Sequence, residues 1–113
     1  MTYDLGMRTL PCLFALLVAT TALADDKAIL ASLKGTYAWD YMKPATSKCA
    51  KTTPALVTKM KKYVCEVPGK GTTASGRDAV ANCRTKDESD GYVFFATLAD
   101  CKVERDTQLA NGA

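Results

Sequence analysis

Residues 78–101 read DAVANCRTKDESDGYVFFATLADC, and the fold is decided there. Tyr92-Val93-Phe94-Phe95 joins aromatic and β-branched side chains in one run, the strongest strand signal of the chain. The turn formers Asp87-Glu88-Ser89-Asp90-Gly91 precede it, so 78–85 and 91–97 read as two strands joined by a tight connection. Thr97 then supplies a hydroxyl cap for a helix through about Ala110, closed by Asn111-Gly112. Working back toward the N-terminus, Tyr37, Trp39 and Tyr41 alternate with Thr36, Ala38 and Asp40, a period-two strand that Pro44 ends. Thr52 or Thr53 followed by Pro54 opens a helix, with Leu56, Val57 and Met60 at helical spacing. That helix runs to about Lys62 and gives way to a short strand over 63–67, the alternative being one helix through Cys65. Asp25-Asp26 caps a further short helix that carries Ile29, Leu30 and Leu33 on one face and stops at Gly35. The segment 68–77, PGKGTTASGR, is a polar, glycine-rich loop, expected to be the most mobile ordered part of the chain. The sum is one α+β domain: a small antiparallel sheet of three or four strands with two or three short helices packed on it.

The segment before this domain reads as an address. Leu10 to Leu23 form an apolar run of signal-peptide length behind Arg8, and Ala22-Leu23-Ala24 is a small-x-small cleavage site. The run is short for a membrane anchor, which needs roughly 20 apolar residues. Residues 1–24 are therefore expected to be removed, leaving 25–113 as the single domain and no stable membrane anchor. Met7 is a cleaner start than Met1, because Asp4 otherwise stands before the only basic residue. Cys12 lies early in the apolar run, where lipidation does not occur, and leaves with it. The protein is expected to be exported, to the periplasm or beyond the cell.

Four cysteines then remain: Cys49, Cys65, Cys83 and Cys101. A small exported domain buries too little surface to be stable without staples, and an even count at this size reads as two disulfides. The cysteines come in no close pairs, which argues against a zinc site, and a Cys-x-x-Cys redox motif is absent. Closing a loop of 15–18 residues stabilises by on the order of 3 kcal/mol. Of the three possible pairings, the hairpin and the returning last helix favour Cys83–Cys101, which leaves Cys49–Cys65. Residues 49–53 then have to double back along the intervening helix.

The chain contains no histidine. Ser–His and Cys–His nucleophile pairs, imidazole bases and histidine-ligated metals are thereby excluded. Asp87, Glu88 and Asp90 share one turn but do not follow the calcium-loop spacing, and no pair of carboxylates is spaced like a glycosidase's. No catalytic residue, metal or cofactor is expected. Charge is uneven. Residues 25–72 hold nine lysines against Asp25, Asp26, Asp40 and Glu66, whereas 73–113 are slightly acidic. The lysine group, Lys59 and Lys62 among them, suits an anionic protein or glycan. No nucleic-acid motif accompanies it. The aromatic face of Tyr37, Trp39 and Tyr41 has two readings, core packing or a stacking platform with Trp39 at its centre.

Tyr63-x-Cys65 and the loop Ala74-Ser75-Gly76-Arg77 resemble elements of the periplasmic inhibitors of c-type lysozyme. The resemblance covers a small part of the chain, and the two elements stand much closer together here than in that family. It implies a loop that enters an enzyme's cleft, with Ser75 and Arg77 as contact residues. The net charge of +3 opposes docking on a cationic lysozyme. The expectation is an exported, non-enzymatic binding or accessory module whose partner contacts come from Trp39, Lys59, Lys62, Ser75 and Arg77. The alternative is an inhibitor of a secreted hydrolase acting through 68–77.

Overall fold

A computed structural model describes residues 26–112. The leader read at 1–24, with Cys12 and both candidate starts, lies outside the described residues, as does the Asp25 cap. Residues 26–32 are helical (α1). They are followed by β1 (Tyr37–Asp40), β2 (Ala50–Lys51), α2 (Pro54–Met60), β3 (Val64–Glu66), β4 (Ala81–Arg84), β5 (Gly91–Phe95) and α3 (Leu98–Ala110). The strands form one sheet in the order β2-β1-β5-β4-β3, with every neighbouring pair antiparallel.

The unbroken apolar run of β5 is explained by its position. It is the central strand, pairing with β1 on one side and β4 on the other. Its alternate side chains enter two separate cores. Phe94 packs with Ile29, Leu33, Ala38, Met60, Ala81 and Cys83 beneath α1 and α2. Val93 and Phe95 pack with Trp39, Ala79 and Cys101 beneath α3. A strand buried on both faces has no polar side to show, which is why it lacks alternation. The helix starts follow the capping chemistry read from the sequence. Thr53 accepts from the Leu56 N–H before Pro54 at the first helical position, and Thr97 accepts from the Asp100 N–H.

Two expectations need correction. The sheet has five strands, not three or four. The extra one, β2, is two residues long and too short to show alternation. It is held by pairing with Tyr37 and Ala38, and by the Thr52 N–H donating to Thr36 O at 2.9 Å. The disulfides are Cys49–Cys101 and Cys65–Cys83, not Cys83–Cys101 with Cys49–Cys65. Strand parity is the reason. Cys83 points to the α1/α2 side, where its register partner on β3 is Cys65, 4.0 Å away between Cα atoms. Cys101 belongs to the core on the α3 side, so the sheet itself separates it from Cys83. Cys49 lies just before β2 on the side α3 covers, 6.1 Å from Cys101 between Cα atoms. The Arg105 guanidinium reinforces that seam by donating from Nε to Ser47 O at 3.0 Å.

The bridge Cys65–Cys83 spans 18 positions and Cys49–Cys101 spans 52, worth about 3 and about 4 kcal/mol respectively when each closes its loop alone. The shorter loop lies inside the longer, so the joint contribution falls below their sum. Bonds of this kind belong to a chain that folds in an oxidising, non-cytoplasmic compartment. Among the described residues no helix is long and apolar enough to cross a membrane.

Candidate functional site

The two faces of the sheet are covered unequally, and the inequality makes a cleft. On the α3 side, register places Trp39, Val93, Asn82 and Glu66 in one row across β1, β5, β4 and β3. α3 packs on β1 and β5, the Trp39–Val93 end of that row. The Asn82–Glu66 end is left to the connection that runs from β3 to β4. Between that connection, α3 and the sheet lies a cleft of ≈ 460 Å³, bounded by Tyr41, Thr72, Thr73, Asn82, Glu104 and Gln108 among others. Its volume falls in the range of small-ligand pockets.

Tyr41 reaches the cleft because residue 91 is glycine. A Cβ at Gly91 would stand 2.6 Å from Tyr41 Cζ, so the tyrosine ring lies directly across the backbone of β5. Its hydroxyl then donates to Asn82 Oδ1 at 2.8 Å. Burial raises the Tyr41 pKa against the smaller lowering effect of the Asn82 hydrogen bond, so the phenol stays protonated.

Glu104 forms the far wall. It sits one turn after Cys101 on the buried stripe of α3 and is 2% exposed. The Ser75 N–H donates to its Oε1 at 2.8 Å, and the Ala74 N–H (3.2 Å) and Gln108 Nε2 (2.7 Å) donate to its Oε2. Burial alone would push this carboxyl up. The hydrogen bonds from Ser75, Gln108 and Ala74 outweigh it and hold the carboxyl below its ordinary range, ionised at neutral pH. No cation lies within ion-pairing distance of it among the described residues. A buried carboxylate thus fastens the backbone of the glycine-rich loop to α3. The loop is further tied by the Arg77–Asp100 ion pair at 2.9 Å, by Asp78 accepting from the Gly71 N–H, and by Thr73 Oγ1 donating to Arg77 O. Gly71 and Gly76 sit at φ 72° and 78°, which lets the chain turn back on itself inside so short a span.

The residues singled out by sequence fall in different places. Trp39 is fully buried in the α3-side core, with its Nε1 lacking a partner among the described residues; it is a packing residue and not a stacking platform. Lys59 lies on the opposite side of the sheet, its Nζ 5.4 Å from the Tyr92 ring centroid and 6.0 Å from that of Tyr63. Beside it, Asp90 accepts from Lys43 Nζ at 2.6 Å and from the Tyr63 hydroxyl at 3.2 Å. Lys43 holds the Asp90 carboxyl below its usual range, and Asp90 in turn raises Lys43. Two lysines of the basic group are therefore engaged internally. Lys62 is exposed just past the end of α2. Ser75 and Arg77 sit together on the loop, where Ser75 Oγ accepts from the Arg77 N–H. Lysines and loop do not converge on one site.

Of the residues that do converge, Tyr41 is read from the sequence only as part of the aromatic strand face, and Asn82, Glu104 and Gln108 are not among the expected contact residues. One signal was present. Glu104 follows the core Cys101 by three positions and precedes Gln108 by four, so all three share one helix face. An acidic side chain on the buried stripe of a helix needs partners, and that need points to whatever packs against it.

A larger groove of ≈ 610 Å³, mainly apolar, runs between α1 and β3 beside Ile29, Cys65 and Val67. Asp26, where the described residues begin, is among the residues that line it. Among the described residues no group of three or more acidic or cysteine side chains is arranged to hold a metal ion. No protein-family model matches the chain, and no curated protein or solved structure is significantly similar to it.

Proposed function

We propose that this chain is an exported, non-enzymatic binding protein whose site is the cleft between the 68–77 loop, α3 and the open half of the sheet. The observation that carries the reading is the Glu104 clamp. A carboxylate 2% exposed is spent on holding two backbone amides of a surface loop. Burying a charge is costly, and a loop needs such bracing only if its conformation matters. A braced loop binds without losing freedom, which is what a recognition wall requires. Export is supported by the leader-like residues 10–24 together with the two disulfides. The absence of histidine, and carboxylates committed to the loop amides (Glu104) and to Arg84 (Glu66), favour binding over bond-making chemistry.

The alternative of a hydrolase inhibitor acting through Ser75 and Arg77 keeps one specific support: Arg77, at the C-terminal end of the braced loop, is exposed even while paired with Asp100. The same experiment separates the two. Tagged protein captures its partner from an exported fraction, and variants are compared at equal folded concentration. Ala74→Trp, which fills the cleft mouth, is expected to abolish capture, while Arg77→Ala and the pair Lys61→Glu/Lys62→Glu retain it. Loss with Arg77→Ala and retention with Ala74→Trp would transfer the function to the loop tip. Loss only with the lysine pair would transfer it to an anionic partner on the α2 side.

A further inference from the structure

The hydrogen-bond inventory of the cleft specifies what it can hold. Each hydroxyl that lines it has committed its single hydrogen to the protein. Tyr41 donates to Asn82 Oδ1, Thr72 to Gly69 O at 2.6 Å and Thr73 to Arg77 O at 2.6 Å. A hydroxyl whose hydrogen is spent has only lone pairs left to offer. Gln108 turns its amide nitrogen to Glu104, so its carbonyl oxygen is the end without a protein partner among the described residues. Glu104 accepts three hydrogen bonds of the roughly four a carboxylate can take. Glu66 shares one oxygen with Arg84 at 2.8 Å and leaves the other open. Against these acceptors stand two side-chain donors with hydrogen to spare, Asn82 Nδ2 and the second hydrogen of Gln108 Nε2.

Charge points the same way. Glu66 is balanced by Arg84, whereas Glu104 is neutralised by no cation among the described residues. The lining therefore keeps one net negative charge at a buried position, beside an aromatic ring, Tyr41. Neutral N–H donors spread that charge without cancelling it. We infer that the cleft binds an organic cation rich in N–H donors, a primary ammonium or guanidinium group, with Glu104, Gln108, Thr72, Thr73 and Tyr41 accepting its hydrogens. The inference rests on the cleft being the binding site. It adds the chemical class of the group that enters. Such a group has two sources, a free polyamine or a lysine or arginine side chain of a partner protein. The net positive charge of the whole chain, +3, makes selection fall on the local site and not on long-range attraction.

The test is an amide NMR titration of the wild-type, disulfide-bonded protein. Probes are spermidine, the peptides Gly-Lys-Gly and Gly-Arg-Gly with blocked ends, fully N-acetylated spermidine and citrate. Spermidine or the blocked cationic peptides should give saturable shifts at Thr72, Thr73, Ala74 and the side-chain amides of Asn82 and Gln108. The effect should weaken as salt rises. Acetylated spermidine and citrate should leave those signals in place. Spermidine alone shifting them identifies a free amine as the ligand type, and the peptides alone shifting them identifies a side chain of a partner. The variant Glu104→Gln, which removes the charge and one acceptor of the cleft, should weaken binding of the cations about tenfold when measured at a temperature where it is folded. No saturable shift with any cation, equal shifts with acetylated spermidine, or shifts centred away from the cleft would overturn the inference. If the cations fail while Ala74→Trp still abolishes capture, the ligand class is wrong and the cleft remains the site.

Discussion

Replacing Glu104 by Gln keeps the size and shape of the side chain and removes only its charge and one acceptor. Three N–H groups converge on the native carboxylate, from Ala74, Ser75 and Gln108. A glutamine oxygen can retain one or two of them. Its NH₂ then faces a third donor. Hydrogen bonds to a charged group contribute about 1.5–3 kcal/mol each when buried, and water can replace the bond to the exposed Ala74 amide, so a net loss of about 2 kcal/mol is expected. For a domain of this size that corresponds to a fall in melting temperature of about 8–16 °C. Hydrogen exchange should accelerate at the Ser75 and Ala74 amides before it does in β5. The pH dependence has a definite sign. The folded-state pKa of Glu104 lies below its ordinary value of 4.5, so its contribution is complete above that pH and is lost as pH falls through the depressed folded value. The wild type should therefore lose stability on acidification below about pH 4.5, and Glu104→Gln should show a smaller acid loss on top of its lower starting point. Circular-dichroism melts across pH 2–7, read with exchange at single amides, measure both. A variant that melts within about 2 °C of the wild type, with an unchanged acid profile, refutes the clamp.

Four other outcomes follow from the geometry. Gly91→Ala places a methyl group against the Tyr41 ring and should cost about 1–3 kcal/mol, or else swing Tyr41 off Asn82; a melt and the Asn82 side-chain NMR signals distinguish the two. Non-reducing peptide mapping should recover Cys49 with Cys101 and Cys65 with Cys83. The pair Cys49→Ser/Cys101→Ser should lower stability at least as much as Cys65→Ser/Cys83→Ser, because the first bridge closes the longer loop. Trp39 is fully buried, so its fluorescence should be blue-shifted and nearly insensitive to acrylamide until the domain unfolds. A readily quenched tryptophan contradicts the core described for the α3 side.

The elements legible in the sequence are those with a local cause. Thr53-Pro54 and Thr97 announce their helices by capping chemistry, and Gly35 (φ 75°) ends the turn after α1 as read. Tyr92–Phe95 declares a strand by its aromatic and β-branched side chains, while its cover on both faces emerges only from the packing of the helices. What was not legible depends on which face an element crosses. Cys83 and Cys101 are 18 positions apart, and their separation by the sheet follows from α3 passing over the Val93–Phe95 side. Nothing in the residues around Thr97 sets that choice. The same choice decides the role of Glu104, an ordinary helical carboxylate until the 68–77 loop is laid against it. Trp39 shows the converse: its alternation with Ala38 and Asp40 gave a strand correctly, but not whether the aromatic face looks inward. The loop, expected to be the most mobile segment, is tied at Gly71, Thr73, Ala74, Ser75 and Arg77. Each of those ties runs through a partner distant in sequence or through a turn too short to carry a periodic signal.

The central claim is that recognition takes place in the cleft braced by Glu104. Its most direct test adds the captured partner to the ¹⁵N-labelled chain and maps which amides respond. The account predicts that Thr72, Thr73, Ala74 and the side chains of Asn82 and Gln108 respond first and most strongly. A response confined to Lys59–Lys62 on the α2 side, or to the α1–β3 groove, with the cleft signals unmoved, would contradict it.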